Sequence, residues 1–325
     1  MKRRQFILGL STLVTLPALA GAQQRKGMPR LGVLMTIGAE AKDRIAALNR
    51  GLRTRGWIDG ENLEIDYHWA DGNKQRIADI ANVLVNSRPD LILAHSSPAV
   101  PPFLRLTQDI PIVFVQVSDP VGQGFVKNLT RPGGNVTGFA AFEFSVGGKW
   151  VELLKELSPN VDRVGILYNP STTPYEQYVV HGRAAADALG IALTQVEVRE
   201  SEEIKPVLGK FGERPGGGLA LLPDPFTSIH RDEIVGTAAR LGVPAIYPYR
   251  AYVDSGGLCS YSYDVSDLFF RSATYVDRIL RGEKPGDLPV QLVTRYQLVF
   301  NLKTAKTMGL ALPPTLLARA DEVIE

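Results

Sequence analysis

One cysteine, four histidines and no long apolar run past the first twenty residues are what this 325-residue chain has least of, and each shortage removes a class of protein. Cys259 has no partner for an internal disulfide, so the fold must be held by a buried core. It sits in Leu258-Cys259-Ser260-Tyr261, which reads as strand, and a buried small hydrophobe accounts for it better than a reactive thiol. His68, His95, His181 and His230 are scattered without metal-ligand spacing, so no metal centre is expected. No stretch beyond residue 22 reaches the ~18 apolar residues that a membrane span needs. The G-x-S-x-G elbow and the G-x-x-x-x-G-K-[ST] phosphate loop are missing, and Gly122-Gln123-Gly124 lacks the third glycine of a dinucleotide fingerprint. No cofactor and no catalytic residue are therefore expected.

An excess of either charge is missing too. Lys2, Arg3 and Arg4 stand in a segment that reads as removable, and without them 33 basic residues face 34 acidic ones. That leaves no basic stripe for nucleic acid or an anionic membrane. The segment is residues 1–22: a basic start, an apolar run from Phe6 to Ala20, and small residues at Ala20-Gly21-Ala22 for cleavage. Arg3-Arg4-Gln5-Phe6-Ile7 resembles a twin-arginine signal, and a general secretory signal fits equally well.

What is present is a globular composition, 45% apolar and 22% charged, with room for two domains. Ile110-Pro111-Ile112-Val113-Phe114-Val115-Gln116-Val117 reads as a strand buried on both faces that stops at a polar tip, Ser118-Asp119-Pro120. Leu219-Ala220-Leu221-Leu222 runs in the same way into Pro223-Asp224-Pro225. In an open α/β sheet ligands sit beyond the carboxyl ends of parallel strands, so two such tips suggest a ligand held between two lobes. Each Asp-Pro pair taken alone also reads as a plain strand-ending turn.

Strands and amphipathic helices alternate along the chain, which predicts a parallel, doubly wound sheet. From Lys149 the pattern starts again. Arg30-Leu31-Gly32-Val33-Leu34 matches Arg163-Val164-Gly165-Ile166-Leu167 at an offset of 133, and Ile110-Pro111-Ile112-Val113-Phe114 matches Val243-Pro244-Ala245-Ile246-Tyr247 at the same offset. The strands beginning at Leu91 and Leu219 correspond at an offset of 128. A shared order at a near-constant offset indicates an internal duplication. Surplus elements after Tyr247 predict crossings between lobes near 138–142, 259–264 and 290–297. The expected fold is thus α/β: two doubly wound parallel-sheet lobes joined by a three-strand hinge. The lobes are 29–139 plus 262–291 and 140–261 plus 292–325.

A group of local motifs carries a family resemblance over essentially the whole mature chain. They are Gly51-Leu52-Arg53 through Gly56-Trp57 with Gly60-Glu61-Asn62, Ser118-Asp119-Pro120-Val121-Gly122, and Arg131-Pro132-Gly133-Gly134-Asn135-Val136-Thr137-Gly138. Leu153-Leu154-Lys155-Glu156-Leu157, Pro223-Asp224-Pro225, Pro244-Ala245-Ile246-Tyr247-Pro248, Gly256-Gly257-Leu258 and Asn301-Leu302-Lys303-Thr304-Ala305-Lys306 complete the set. With these the chain resembles the type I periplasmic solute-binding subunits of ABC transporters, in the branch related to tryptophan/tyrosine-type binding proteins. The resemblance implies a soluble periplasmic monomer that closes on a small organic solute and delivers it to an inner-membrane ABC permease. It implies that Ser96, Ser97, Ser118, Asp119, Asn169 and Asp224 line the cleft. Where relatives often carry a small Gly- or Thr-containing turn, this chain has His95-Ser96-Ser97.

The chemistry of those residues fits an amino acid or an aromatic compound. The serines can bond a carboxylate, and Asp119 or Asp224 can accept from an ammonium. Tyr168, Tyr247 and Tyr261 can stack on an aromatic body or can equally serve core packing. Two competing readings use the same cleft. One is an exported hydrolase, with Asp119 and Asp224 as acid and base or Ser96 or Ser118 as a nucleophile beside His95. The other is a ligand-sensing subunit of a signalling system. The hydrolase is weakened because adjacent residues on a strand point to opposite faces, which separates His95 from Ser96.

Overall fold

The runs of β-branched and apolar residues become strands buried on both faces, and the tips of those strands set the geometry of everything between the lobes. The computed structural model describes residues 27–38, 41–141, 143–293 and 295–325; the expected leader over 1–22 lies outside the described residues. In the first lobe β1 (Arg30–Met35), α1 (Lys42–Arg53), β2 (Glu64–Trp69), α2 (Lys74–Ser87), β3 (Leu91–His95), α3 (Val100–Leu106), β4 (Ile112–Val117) and β5 (Val136–Ala140) alternate in chain order. The strands pair in parallel in the order β2-β1-β3-β4-β5.

The chain then builds α4 (Val146–Leu157), β6 (Arg163–Tyr168), α5 (Glu176–Ala188), β7 (Ala192–Glu197), α6 (Ile204–Gly212), β8 (Gly217–Leu221), α7 (Pro225–Ile229), α8 (Arg231–Arg240), β9 (Ala245–Tyr247), α9 (Arg250–Asp254) and β10 (Cys259–Ser262). Their order, β7-β6-β8-β9-β10, repeats the winding of the first sheet strand for strand. The offset seen in the sequence therefore has a physical counterpart: β6 takes the place of β1, and β9 that of β4. Cys259 is fully buried in β10, as a small hydrophobe would be. The short α7 and the longer α8 are separated by His230 alone.

After β10 the chain leaves the second sheet for α10 (Val265–Leu280), which packs on α1 of the first lobe. It returns to form β11 (Gln297–Asn301), α11 (Leu302–Thr307), α12 (Pro314–Leu317) and β12 (Glu322–Ile324). Because it returns from the other lobe, β11 enters antiparallel to β10, so the second sheet is mixed where an all-parallel one was expected. Three connections span the lobes: β5 to α4, Tyr263-Asp264, and the run from Gln291 to β11. The first and third are tied, Ala140 N donating to Gln291 O at 2.8 Å and Gln291 N to Gly138 O at 2.9 Å. The two-lobe, doubly wound architecture with its three-strand hinge is thus present. No helix among the described residues is long and apolar enough to cross a membrane.

The α1–α10 contact commits the returning helix to the first lobe. Asp264 caps α10 by accepting from Asp267 N at 3.0 Å, and Trp57 Nε1 donates to Asp277 Oδ1 at 2.8 Å. Gly51 makes the approach possible, because a Cβ there would overlap the Phe270 carbonyl and lie 2.8 Å from the Ala273 Cβ. Gly51→Ala should lower the unfolding free energy by about 1–3 kcal/mol, the usual cost of overpacking. Urea denaturation measures it, and an unchanged midpoint would remove close helix contact as the anchor of α10.

Candidate functional site

In a sheet wound in this order the crevice opens where the winding reverses, between β1 and β3 and between β6 and β8. In the first lobe Thr36 follows β1 and His95 ends β3. Thr36 N donates to His95 Nδ1 at 3.2 Å, and Thr36 Oγ1 lies 2.9 Å from the same nitrogen. His95 Nε2 is 3.0 Å from Gln116 Oε1 and 3.0 Å from Arg44 Nη1. Burial, reinforced by the Arg44 charge, holds the His95 pKa well below its ordinary value, so the ring is neutral.

In the second lobe Asn169 follows β6 and Asp224 follows β8. Asp224 Oδ2 accepts from Asn169 N at 2.6 Å, while Oδ1 accepts from Thr172 Oγ1 at 2.6 Å and from Phe226 N at 2.8 Å, capping α7. Burial pushes its pKa up to about 6 against the pull of these donors. Asp224 is thus a buried carboxylate held by three donors of its own lobe.

The tips of β3 and β4 are strained. Among the described residues, five non-glycine positions have positive φ, and Ser96 (70°), Gln116 (66°) and Asp119 (32°) are three of them. Such backbone costs on the order of 1 kcal/mol or more per residue and clusters where side chains must be aimed. Gln116 falls within the register shift between Val115 and Val117 on β4, which directs its amide to His95.

Across the seam the lobes touch directly. Tyr178 on α5 donates to Ser118 Oγ at 2.6 Å, and the Tyr249 side chain sits close to Gln116 and Tyr263, the two tyrosine ring centres 6.4 Å apart. Burial pushes the Tyr249 pKa up to about 12. The Arg44 guanidinium stands 5.8 Å from the centre of the Tyr249 ring. Beside the hinge a cavity of about 660 Å³ opens between the lobes, lined in part by Asp119, Glu143, Lys149, His181, Tyr261 and Tyr296.

The residues singled out from sequence fall into distinct places. Ser96 stands at the strained tip of β3. Ser97 Oγ accepts from Ser118 N at 3.2 Å and from Gln123 Nε2 at 3.0 Å. Asp119 lines the hinge-side cavity and accepts from Gly122 N at 2.8 Å. Asn169 is buried, its Oδ1 accepting from Ser171 N at 2.8 Å. Tyr261 lines the same cavity as Asp119 and stacks on Tyr296 at 5.2 Å. Tyr247 is buried against Tyr252, ring centres 5.1 Å apart, and Tyr168 donates to Gln195 Oε1 at 2.7 Å while stacking on Tyr175. The hydrogen bonds of the His95 ring go to Thr36, Gln116 and Arg44, so the serine–histidine pair of the hydrolase reading is not assembled.

Arg44, Gln116, Tyr178 and Tyr249 were not anticipated. A signal for one existed: the offset of 133 that relates the repeats carries Gln116 onto Tyr249, which lies near it across the seam.

Fold and seam define a two-lobe ligand-binding protein of the type I periplasmic class. Residues 30–324 match the family model described as ABC transporter substrate binding protein, and the chain belongs to that family. It is 28% identical over 262 residues to a tyrosine-binding protein of Clostridioides difficile, covering 80% of this chain and 75% of the relative. A solved ABC domain from Streptococcus pneumonia in complex with L-Trp shares 27% identity, with 92% of this chain and 100% of that one covered, at a TM-score of 0.84. A ligand-free, open substrate binding protein with adhesive properties from Clostridium difficile shares 26% over 91% and 99%, at a TM-score of 0.65. The fit is closer to the ligand-bound chain, in keeping with the direct contacts across the seam.

A carboxylate whose folded pKa is raised makes stability fall as pH climbs from its unfolded value, about 4, through its folded value, and leaves it flat above. Asp224 should contribute such a fall between pH 4 and pH 6, of about 3 kcal/mol in order of magnitude. The difference in unfolding free energy between the wild type and Asp224→Asn should therefore narrow as pH rises through that window. Denaturant titrations at pH 4, 5, 6 and 7 measure it; a constant or widening difference would contradict the burial argument.

Proposed function

We propose that this chain is the extracytoplasmic solute-binding subunit of an ABC importer. In this reading it captures a small organic solute, an amino acid or aromatic compound, in the interlobe crevice and delivers it to an inner-membrane permease. The observation that carries the reading is the pair of facing switch points, joined by a buried polar seam in a chain of the substrate-binding family. A relative named for tyrosine binding and a neighbour solved with L-Trp support an aromatic amino acid, and the Tyr249, Tyr252 and Tyr263 rings beside the seam suit such a body.

The lobes are taken as 29–139 plus 262–291 and 140–261 plus 292–325, and the leader over 1–22 as the export signal of a soluble periplasmic monomer. Ser96, Ser97, Ser118, Asp119, Asn169 and Asp224 are the strand-tip residues that shape the crevice, with Tyr247 and Tyr261 supporting it from behind. The hinge lets the lobes part. A solute that contacts both walls favours the closed state by its differential affinity for it.

Thermal shift of the mature chain against amino acids and aromatic metabolites tests the proposal. A bound solute at a hundred times its Kd stabilises by about 2.7 kcal/mol and is recovered unchanged. Asp224→Ala should abolish the shift. A ligand chemically converted on incubation would establish an enzyme instead, and a shift that survives in both Asp119→Ala and Asp224→Ala would move the site elsewhere.

A further inference from the structure

We infer that Arg44 is the anion-receiving group of the interlobe crevice and that the solute carries a carboxylate seated on its guanidinium beside the Tyr249 ring. The inference rests on the solute-receptor reading and adds the charge class of the solute.

Arg44 lies in the first turn of α1, at the reversal point between β1 and β3 where a ligand of this fold would sit. A guanidinium has five N–H donors, all of which seek acceptors when withdrawn from water. Arg44 is half-buried, and the protein groups described around its guanidinium supply few acceptors. His95 Nε2 is 3.0 Å away and the Tyr249 ring centre 5.8 Å away, while Tyr252, Tyr263 and Arg231 act on its charge through space. Arg231 is a like charge, itself paired with Asp232 at 3.3 Å. Among the described residues no carboxylate lies within ion-pair distance of Arg44, although arginines elsewhere in the chain are paired.

His95 cannot make up the deficit. A neutral imidazole has one N–H and one lone pair. With Thr36 N donating to Nδ1 and Gln116 Oε1 set at Nε2, the favoured tautomer carries its proton on Nε2, which sets N–H against N–H at Arg44. The opposite tautomer accepts a single bond from Arg44 and leaves its charge intact. The ring face of Tyr249 attracts the cation but offers the N–H groups no lone pair in their plane. Asp224, the buried carboxylate of the facing wall, already accepts three bonds from its own lobe.

Among the described residues, the end of the first-lobe sheet therefore presents a planar, forked donor with no carboxylate partner. A carboxylate matches that fork with two parallel bonds. The strand-tip serines match the role less well: Ser97 Oγ accepts from Ser118 N and Gln123 Nε2 and Ser118 Oγ accepts from Tyr178, so each is held in place with a single O–H to offer, where the guanidinium offers two parallel donors. Recognition of the acid group thus moves from the serines to Arg44. Burial lowers the Arg44 pKa, yet an arginine starts high enough to stay charged.

The test is isothermal titration of the full chain, exchanged free of bound solute, with L-tyrosine against tyramine and L-tryptophan against tryptamine. These pairs differ by the carboxylate alone. The acids should bind at least tenfold tighter than the amines to the wild type, and Arg44→Met, which keeps an apolar stem on Tyr249, should erase that preference. A role for Arg44 in lobe packing alone would weaken acid and amine equally and leave the ratio unchanged, which would overturn the inference. So would amines that bind the wild type as tightly as the acids. If neither amino acid binds, the same chains are titrated with a panel of metabolite acids and their amides. A bound acid that loses affinity in Arg44→Met then supports the inference while removing the aromatic solute. A best binder without an anionic group overturns the inference with the receptor reading intact. A panel in which nothing binds overturns both.

Discussion

Each lobe is closed at its switch point by one backbone N–H given to a side chain at the end of the third strand. Thr36 N donates to His95 Nδ1 at 3.2 Å, and Asn169 N donates to Asp224 Oδ2 at 2.6 Å. Thr36 and Asn169 are the same position in the two repeats, 133 residues apart. The need is topological. Where the winding reverses, the chain leaving one strand turns away from the chain leaving its neighbour, and the ladder can no longer satisfy the next amide. A buried N–H must still find an acceptor. The two lobes answer with different chemistry, a neutral imidazole in one and a carboxylate in the other. That difference gives the crevice two unlike walls.

The unlike walls explain why the seam is polar rather than a continuation of the core. On the first wall the imidazole brings Gln116 and Arg44 with it, and on the second the carboxylate organises Asn169, Thr172 and the start of α7. Gln116 meets His95 because the bulge on β4 holds it at a positive φ. The bond of Tyr178 to Ser118 joins groups on different lobes and exists only when the lobes meet. It favours closure without a solute, so the solute's own contacts need supply only the remainder of the population shift.

Most of the fold was legible in the residues. Strands buried on both faces read as unbroken β-branched runs, and the capped helices show their stripes, as Ile77, Ile80, Ala81 and Leu84 do on α2. The strand tips were legible for the same reason: an apolar run that stops at Ser118-Asp119 or Pro223-Asp224 marks a carboxyl end. What was hidden depends on backbone geometry that side-chain patterns do not report. Gln116 sits inside the apolar run of β4, and only its positive φ turns it toward the crevice. Tyr247 ends an apolar run, stays in β9 and packs on Tyr252, while Tyr249 lies beyond the strand beside Arg44 of the other lobe. Arg44 looks like one more cation on an amphipathic helix until α1 is placed beside the end of β3.

A crevice built this way discriminates by what it leaves unpaired. Stacking on tyrosine rings tolerates many flat bodies, and one methylene more or less changes affinity by only about 1–3 kcal/mol. A buried donor or acceptor that a solute fails to meet costs as much for each group, and more where the group is charged. Specificity in this fold should therefore reside in the few polar groups at the two switch points. The ties through Thr36 and Asn169 keep the walls in place whatever those groups are. Exchange of Arg44 or Gln116 can then change the solute without removing an apolar side chain from the core, whereas Tyr249 is itself buried in it.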